Sequence, residues 1–312
     1  MNTFMTPNGI RIKVFGIGGA GSNAVSKMAG TNLPNVELYA ANSDKQHLYE
    51  SPLDNQILLG NDGLGAGGIP ENGARAALES EALIRSKMDD ADIVFITAGM
   101  GGGTGTGASP VFARLAKEAG CMVISVVTKP FDFEGRRRIM NAEKGIKDLS
   151  DYSDSMMIIA NNRMLDVCKN ISFRAALDEV DKILSRTIKS IIDLVAAPGL
   201  VNVDFADVQS VMGGKNFAYV GFGFSDIPNN ELRAEDVAFK ALSSPLLEKN
   251  ISGAKNAIVH VSGGKDICIS DAEIIINCIK KAAGENVDVI FGITLDEENN
   301  GKFYVTLIAT GF

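Results

Sequence analysis

The 312-residue sequence has no tryptophan, only two histidines and only four cysteines. His47 and His260 lie far apart, which argues against a histidine-built zinc site. Cys121, Cys168, Cys268 and Cys278 form no CxxC pair and fall in or beside apolar stretches. That is the pattern of buried, reduced thiols. No run approaches the ~18 apolar residues of a membrane helix, and the N-terminus is too polar and glycine-rich for a signal peptide. A cytoplasmic protein without direct membrane insertion is expected. Positive charge is in deficit, 30 Lys and Arg against 38 Asp and Glu, for a net charge of −8. A general nucleic-acid binder needs the opposite balance. The phosphate motif GxxxxGK[ST] is also missing: Gly213-Gly214-Lys215 and Gly263-Gly264-Lys265 lack its spacing and hydroxyl. No lysine is therefore placed to neutralise β and γ phosphates in the P-loop manner.

What remains is an ordinary globular composition, 46% hydrophobic and 22% charged, with an excess of glycine at 33 residues. The length suits two domains at roughly 150 residues each. In the first half, IRIKVFGI (10–17), VELYAA (36–41), DIVFITA (92–98), CMVISVV (121–127) and SMMIIA (155–160) read as strands. Several are almost continuously apolar, as strands covered on both faces of a parallel sheet are. Helical patterns at 71–88 and 109–119 alternate with them, which predicts a doubly wound α/β sheet with ligands beyond its carboxyl ends. Phe173, Leu177, Val180, Leu184, Ile188, Ile191 and Val195 then recur every three or four residues, marking one long helix stopped by Pro198-Gly199. Beyond it, strands at 217–224, 257–262, 287–295 and 302–309 and helices at 234–242 and 271–283 predict a smaller mixed domain.

Two glycine clusters occupy matching places. Gly16-Ile17-Gly18-Gly19-Ala20-Gly21-Ser22-Asn23 follows the first strand and opens a helix, where bare backbone N–H groups and the helix dipole suit an anion. Gly16, Gly18 and Gly21 satisfy GxGxxG, with Asp44 about twenty residues on. By itself the cluster fits a dinucleotide fold, another nucleotide fold or a structural turn. A second cluster, 99–107, again lies between a strand end and a helix start. A dinucleotide fold has no need of it, whereas two such loops can surround a polyphosphate, with Thr104 and Thr106 adding hydroxyls. A third loop, 63–68, brings Gly65, Ala66 and Gly67, which could close over a terminal phosphate.

GGGTGTG (101–107) is the signature of the tubulin superfamily, and its surroundings resemble the FtsZ family of bacterial cell-division tubulin homologues. GIGGAGSNAV, GLGAGG, VTKPFDFEGRRR, PGLVNVDFADV, SSPLLE and the closing ATGF carry the resemblance from about residue 10 to 312, in family order. It implies a Rossmann-like parallel-sheet GTP-binding domain (1–172), a central core helix running into the start of a catalytic loop (173–202), and a smaller α+β GTPase-activating domain (203–312). It also implies that Gly19, Ala20, Gly21, Ser22 and Asn23, with Gly103, Thr104, Gly105 and Thr106, hold the phosphates of GTP or GDP. Asn42 and Asp44 match the loop after the second strand. Glu134 and Arg138 match a ribose-contacting pair, and their i,i+4 spacing fits one helical face. Asn161 matches a guanine-side amide. Asp181 would accept hydrogen bonds from guanine N1 and N2, an edge that in guanine carries two donors. The sequence departs from the family at Leu177, where phenylalanine is frequent, and at Lys182, where a second Asn or Asp is common.

Asn202, Asp204 and Asp207 follow the long helix. Two carboxylates three apart at a helix start fall on roughly one face, and by themselves read more readily as helix capping than as catalysis. Nothing in the first domain offers a general base, however. In the family the matching loop of one subunit inserts into the nucleotide site of the next. The resemblance therefore implies that Asp204 and Asp207 activate water on the neighbouring subunit and that Asn202 contacts the phosphate end. A head-to-tail contact of this kind builds homopolymeric filaments. Mg²⁺ is expected to be held mainly by phosphates and water, with a monovalent cation such as K⁺ as a further candidate cofactor. Division-ring membrane anchors and regulators at midcell are the partners the family implies, although no C-terminal anchor-binding peptide follows Phe312.

Overall fold

The structure, a computed structural model, describes residues 9–31, 33, 35–163, 172–196, 200–201, 203–214, 216–225, 231–243, 251–295 and 302–312. The chain divides into two units, Gly9–Lys189 and Ser190–Phe312.

The first unit runs β1 (Ile12–Ile17), α1 (Gly18–Ser26), β2 (Val36–Asn42), α2 (Lys45–Tyr49), β3 (Gln56–Leu58), α3 (Pro70–Glu79), α4 (Glu81–Met88), β4 (Ile93–Gly99), α5 (Thr104–Glu118), β5 (Met122–Lys129), a 3-10 turn (Asp132–Glu134), α6 (Arg136–Ser150) and β6 (Ser155–Ala160). Six strands pair in the order β3-β2-β1-β4-β5-β6, all parallel. Every residue of β1 is buried, as are six of the seven in β4, so the apolar runs are those of strands covered on both faces. Chain direction across the sheet reverses between β1 and β4, the switch point where such sheets bind ligands. The loops leaving β1 and β4 are the two main glycine clusters.

The long helix α7 (Phe173–Ala196) carries the division between the units. The second unit continues with α8 (Phe205–Met212), β7 (Asn216–Phe217), β8 (Tyr219–Ser225), α9 (Glu231–Leu242), β9 (Asn256–Gly263), α10 (Ile269–Ala283), β10 (Asp288–Leu295) and β11 (Phe303–Thr310). Its sheet has the order β10-β9-β11-β8, with β9 and β10 parallel and β11 antiparallel to both of its neighbours. Val237, Ala241, Ile275 and Ile279 of α9 and α10 share one core with Val259, Val305 and Leu307 of the sheet. Glycine in β8 lets α9 come close: a Cβ on Gly221 would lie 1.8 Å from the Ala241 carbonyl oxygen. Arg233 is buried in this core, paired with Asp266 and Asp271 and stacked 4.4 Å from the Phe303 ring centroid. The architecture is thus α/β, a Rossmann-like parallel sheet followed by a smaller α+β unit.

Local expectations need correcting at four places. The pattern at 71–88 is two helices, broken at Ser80, whose Oγ accepts a hydrogen bond from the Gly60 N–H at 2.9 Å. The helix expected from 109 begins at Thr104, inside the glycine motif. Glu134 and Arg138 do not share a helical face: Glu134 ends the 3-10 turn, and Gly135, at φ 97°, separates it from α6. Of the cysteines, Cys121 is buried and Cys278 half-buried, but Cys268 is exposed where α10 begins. Cys168 and the Pro198-Gly199 stop lie outside the described residues.

Candidate nucleotide site

The phosphate end is built by close backbone packing. Gly18, at φ 71°, turns the chain from β1 into α1. A Cβ on Gly21 would lie 2.2 Å from the Thr97 carbonyl oxygen, so only glycine lets α1 start this near β4. The second cluster splits in two. Gly99 to Gly103 form the loop, with Gly101 at φ 106° and its N–H donating to Thr106 Oγ1 at 2.8 Å. Gly105 and Gly107 are instead the first turn of α5, where a Cβ on Gly107 would lie 1.8 Å from the Pro70 carbonyl oxygen. Thr104 Oγ1 and Ser43 Oγ are hydrogen-bonded at 2.7 Å. A Cβ on Gly18 would lie 2.8 Å from the Gly105 nitrogen, so the first turns of α1 and α5 touch. Two helix N-termini thus meet beyond the carboxyl ends of β1 and β4, an arrangement suited to an anion.

The third loop joins them. Gly63, Gly65, Gly67 and Gly68 all have positive φ, and the Gly65 N–H donates to the Ser43 carbonyl at 2.9 Å. Buried Ala66 would be 2.7 Å from a Cβ on Gly103. The structure thus brings together Gly19, Ala20, Gly21, Ser22, Gly65, Ala66, Gly67, Gly103, Thr104, Gly105 and Thr106. Asn42 and Asp44 stand at the border of this group with their acceptors engaged locally. Asn42 Oδ1 takes the Asp44 N–H at 3.2 Å, and Asp44 Oδ1 caps α2 by accepting from Gln46 and His47 N–H.

At the other end, α1, α2 and α7 enclose a cleft of about 430 Å³ lined by Asn23, Lys27, His47, Leu177, Asp178 and Asp181 among others. Ser185 Oγ ties α7 to α1 by donating to the Ala24 carbonyl at 2.6 Å. Burial pushes the Asp181 carboxyl up to about 6; Lys27 pulls it down and Asp178 adds to the rise. Asp178 is held down at about 2, first by its hydrogen bond from Lys27 and then by that from Lys182. Lys182 is engaged with Asp178 at 2.9 Å and Glu179 at 3.2 Å and is not among the residues lining the cleft. Asn161, at the end of β6, is buried, and its Oδ1 has no hydrogen-bond partner among the described residues. Glu134 Oε1 accepts from the Phe131 N–H at 2.8 Å while Oε2 pairs with Arg138. The pair therefore forms despite the break between turn and helix.

Lys27, His47 and Asp178 were not singled out by the sequence. Lys27 follows Asn23 by four residues on α1, a spacing that does signal a shared face. Nothing local marks His47 or Asp178.

In the second unit, Asp204 is the N-cap of α8 and its Oδ1 accepts the Asp207 N–H at 2.9 Å. The Asp207 carboxylate is half-buried and has no hydrogen-bond partner among the described residues. The approach to α8 is fixed by backbone pairing of Val201 with Ile293 and by Val203, whose Cγ2 would lie 2.8 Å from a Cβ on Gly292. Asn202 lies outside the described residues.

The family model described as Tubulin/FtsZ family, GTPase domain, matches residues 11–169, and the one described as FtsZ family, C-terminal domain, matches residues 216–312. The chain belongs to the FtsZ family. The cell division protein FtsZ of Buchnera aphidicola subsp. Baizongia pistaciae is 43% identical over 309 residues, covering 97% of this chain and 80% of that protein. The FtsZ of Mycoplasmopsis pulmonis is 43% identical over 302 residues, covering 96% and 77%. A solved FtsZ of M. jannaschii, described as an empty dimer, superposes with a TM-score of 0.90 at 37% identity, covering 97% of this chain and 88% of its own. CetZ1 from Haloferax volcanii, at 22% identity and a TM-score of 0.85, shares the fold. This FtsZ-family chain is a tubulin-like GTPase of cell division. No helix among its described residues is long and apolar enough to cross a membrane.

Proposed function

We propose that this FtsZ-family chain binds GTP with its phosphates against the loops at Gly19–Asn23, Gly65–Gly67 and Gly103–Thr106, its ribose at Glu134 and Arg138, and its base between Asn161 and Asp181. Hydrolysis occurs when the loop before α8 of one subunit meets the nucleotide of the next. The observation that carries this reading is the division between the two carboxylates. Asp204 is spent on capping α8, which fixes the loop, while Asp207 remains unpaired and half-buried. Asp207 then orients and deprotonates the attacking water, Asp204 holds it in place, and Asn202 reaches the phosphate end. The reaction is phosphoryl transfer to water, accelerated by positioning and by fixed dipoles rather than by covalent catalysis.

Among the described residues no three His, Cys, Asp or Glu side chains converge as a metal site. The hydroxyls of Thr104 and Thr106 and the backbone of the glycine loops suit a cation that arrives on the nucleotide. Bound in this way, Mg²⁺ would neutralise charge on the β and γ phosphates, and a monovalent ion such as K⁺ could supplement it. Head-to-tail self-association places the chain in filaments of the division ring at midcell, with membrane anchors and regulators as further partners.

The test is phosphate release from GTP across a protein concentration series, with light scattering recorded in parallel. Turnover per subunit should appear only above a threshold concentration and rise with scattering. Constant turnover on dilution without scattering means a self-contained site and ends the assignment of Asp207 to the neighbouring subunit's nucleotide.

A further inference from the structure

His47 has no part in the reading above, yet two observations set it against the nucleotide. The first is position. A Cβ built on Gly19 would lie 3.4 Å from His47 Nε2 and 3.8 Å from its Cδ2, so the imidazole edge rests on the first turn of α1. The same ring lines the cleft that holds Asn23 and Asp181. It therefore stands where a ligand passes from base to phosphates. The second observation is the other ring nitrogen. Nδ1 is buried and has no hydrogen-bond partner among the described residues. A hydrogen on Nδ1 would be a buried donor without an acceptor, a costly state. A neutral ring therefore carries its proton on Nε2, which makes the nitrogen beside Gly19 a donor.

We propose that His47 Nε2–H donates a hydrogen bond to the α-phosphate of the bound guanine nucleotide. The contact rests on the nucleotide placement argued above. It adds a side-chain donor at the junction of ribose and phosphates, beside the backbone N–H groups of the first glycine loop. The α-phosphate is the part of the ligand that is both anionic and present in every guanine nucleotide.

The test is a set of affinities for guanosine, GMP, GDP and GTP, measured by competition against a fluorescent GDP. His47→Ala should weaken GMP, GDP and GTP by about tenfold each, the size expected for a hydrogen bond to a charged group. Guanosine should be unaffected. Glutamine places its amide nitrogen near the Nε2 position and asparagine near Nδ1. His47→Gln should therefore keep most of the affinity and His47→Asn should lose it, which separates the contact from a general packing role. Unchanged GMP and GDP affinity in His47→Ala, an equal loss for guanosine, or retention by Asn with loss by Gln would each overturn the proposal. Asp181→Asn, run alongside, should weaken guanosine. If it does not, the base placement itself is wrong; if it does while His47→Ala changes nothing, only this contact is wrong.

Discussion

Lowering the pH from 7 to 5 should weaken guanosine binding about tenfold through Asp181 alone. Burial raises this carboxyl to about 6. It is then about 90% ionised at pH 7 and about 10% at pH 5. Guanine N1 and N2 are both donors, so they bind the carboxylate and not the acid. The apparent affinity follows the ionised fraction and falls by roughly 1.4 kcal/mol. Guanosine is the ligand to use, because the terminal phosphate of GDP itself titrates near pH 6. Asp178, held at about 2, stays ionised across this range, so its pairing with Lys27 is not disturbed.

The control is Asp181→Asn, which offers one acceptor where guanine needs two. Its binding should be weak and nearly independent of pH. A wild-type affinity that is flat between pH 5 and 7, or an Asn variant with the wild-type slope, refutes the assignment. The same shift makes folding stability depend on pH. The fold binds the Asp181 proton more tightly than the unfolded chain does. This group's stabilising contribution is thus complete below about pH 4 and lost as pH rises through about 6. Calorimetry of the ligand-free protein should show that loss, and saturating guanosine should remove it.

Two pairs of variants separate packing from function. Gly107→Ala drives a Cβ to 1.8 Å from the Pro70 carbonyl oxygen, and should cost about 3 kcal/mol, lowering Tm by roughly 6–12 °C. Gly102→Ala meets nothing within 4 Å and has no positive φ, so its Tm should hold while GTP affinity, measured by equilibrium binding, falls. If Gly102→Ala binds GTP normally, that loop does not approach the phosphates closely. Asp204→Ala removes the α8 cap and should cost about 1 kcal/mol in a thermal melt. Asp207→Asn should leave Tm and nucleotide affinity unchanged and reduce phosphate release at least a hundredfold, on the order expected for a general base. Simultaneous loss of binding and turnover in Asp207→Asn would contradict the division between the two residues.

The parallel sheet was legible because strands covered on both faces are nearly continuously apolar, and 10–17, 92–98 and 121–127 are, with Lys13, Thr97 and Ser125 as buried polar exceptions. What misled at the helix boundaries was non-local. Gly105 and Gly107 read as loop by propensity, yet they begin α5, where a Cβ would lie 2.6 Å from the Gly99 carbonyl oxygen at Gly105 and 1.8 Å from the Pro70 carbonyl oxygen of α3 at Gly107. No proline or glycine marks the break at Ser80; it comes with a bond from Gly60, twenty residues earlier in the chain. The spacing of Glu134 and Arg138 fits a helix until Gly135 is placed at φ 97° between them.

The same distinction divides the candidate site. Its phosphate side consists of continuous loops, each at a strand end and a helix start, so position in the chain already implies position in space. Its base side is gathered from α1, α2 and α7, whose residues meet only through packing. Asn23 and Lys27 are linked by helical spacing. His47 against Gly19 and Asp178 beside Lys27 are linked by nothing in the sequence. A second reason is chemical. The proposed phosphate contacts are mainly backbone N–H groups, which leave a trace in the sequence as glycine, the residue that exposes them. Base recognition uses single side chains, and one Asp or His on an amphipathic helix is indistinguishable from a solvated one until its neighbours are known. The departures at Leu177 and Lys182 fall on this second side. Lys182 is now placed, as a counter-ion to Asp178 and Glu179. Leu177 lines the cleft and is 41% exposed, so it offers the base an apolar contact without an aromatic face.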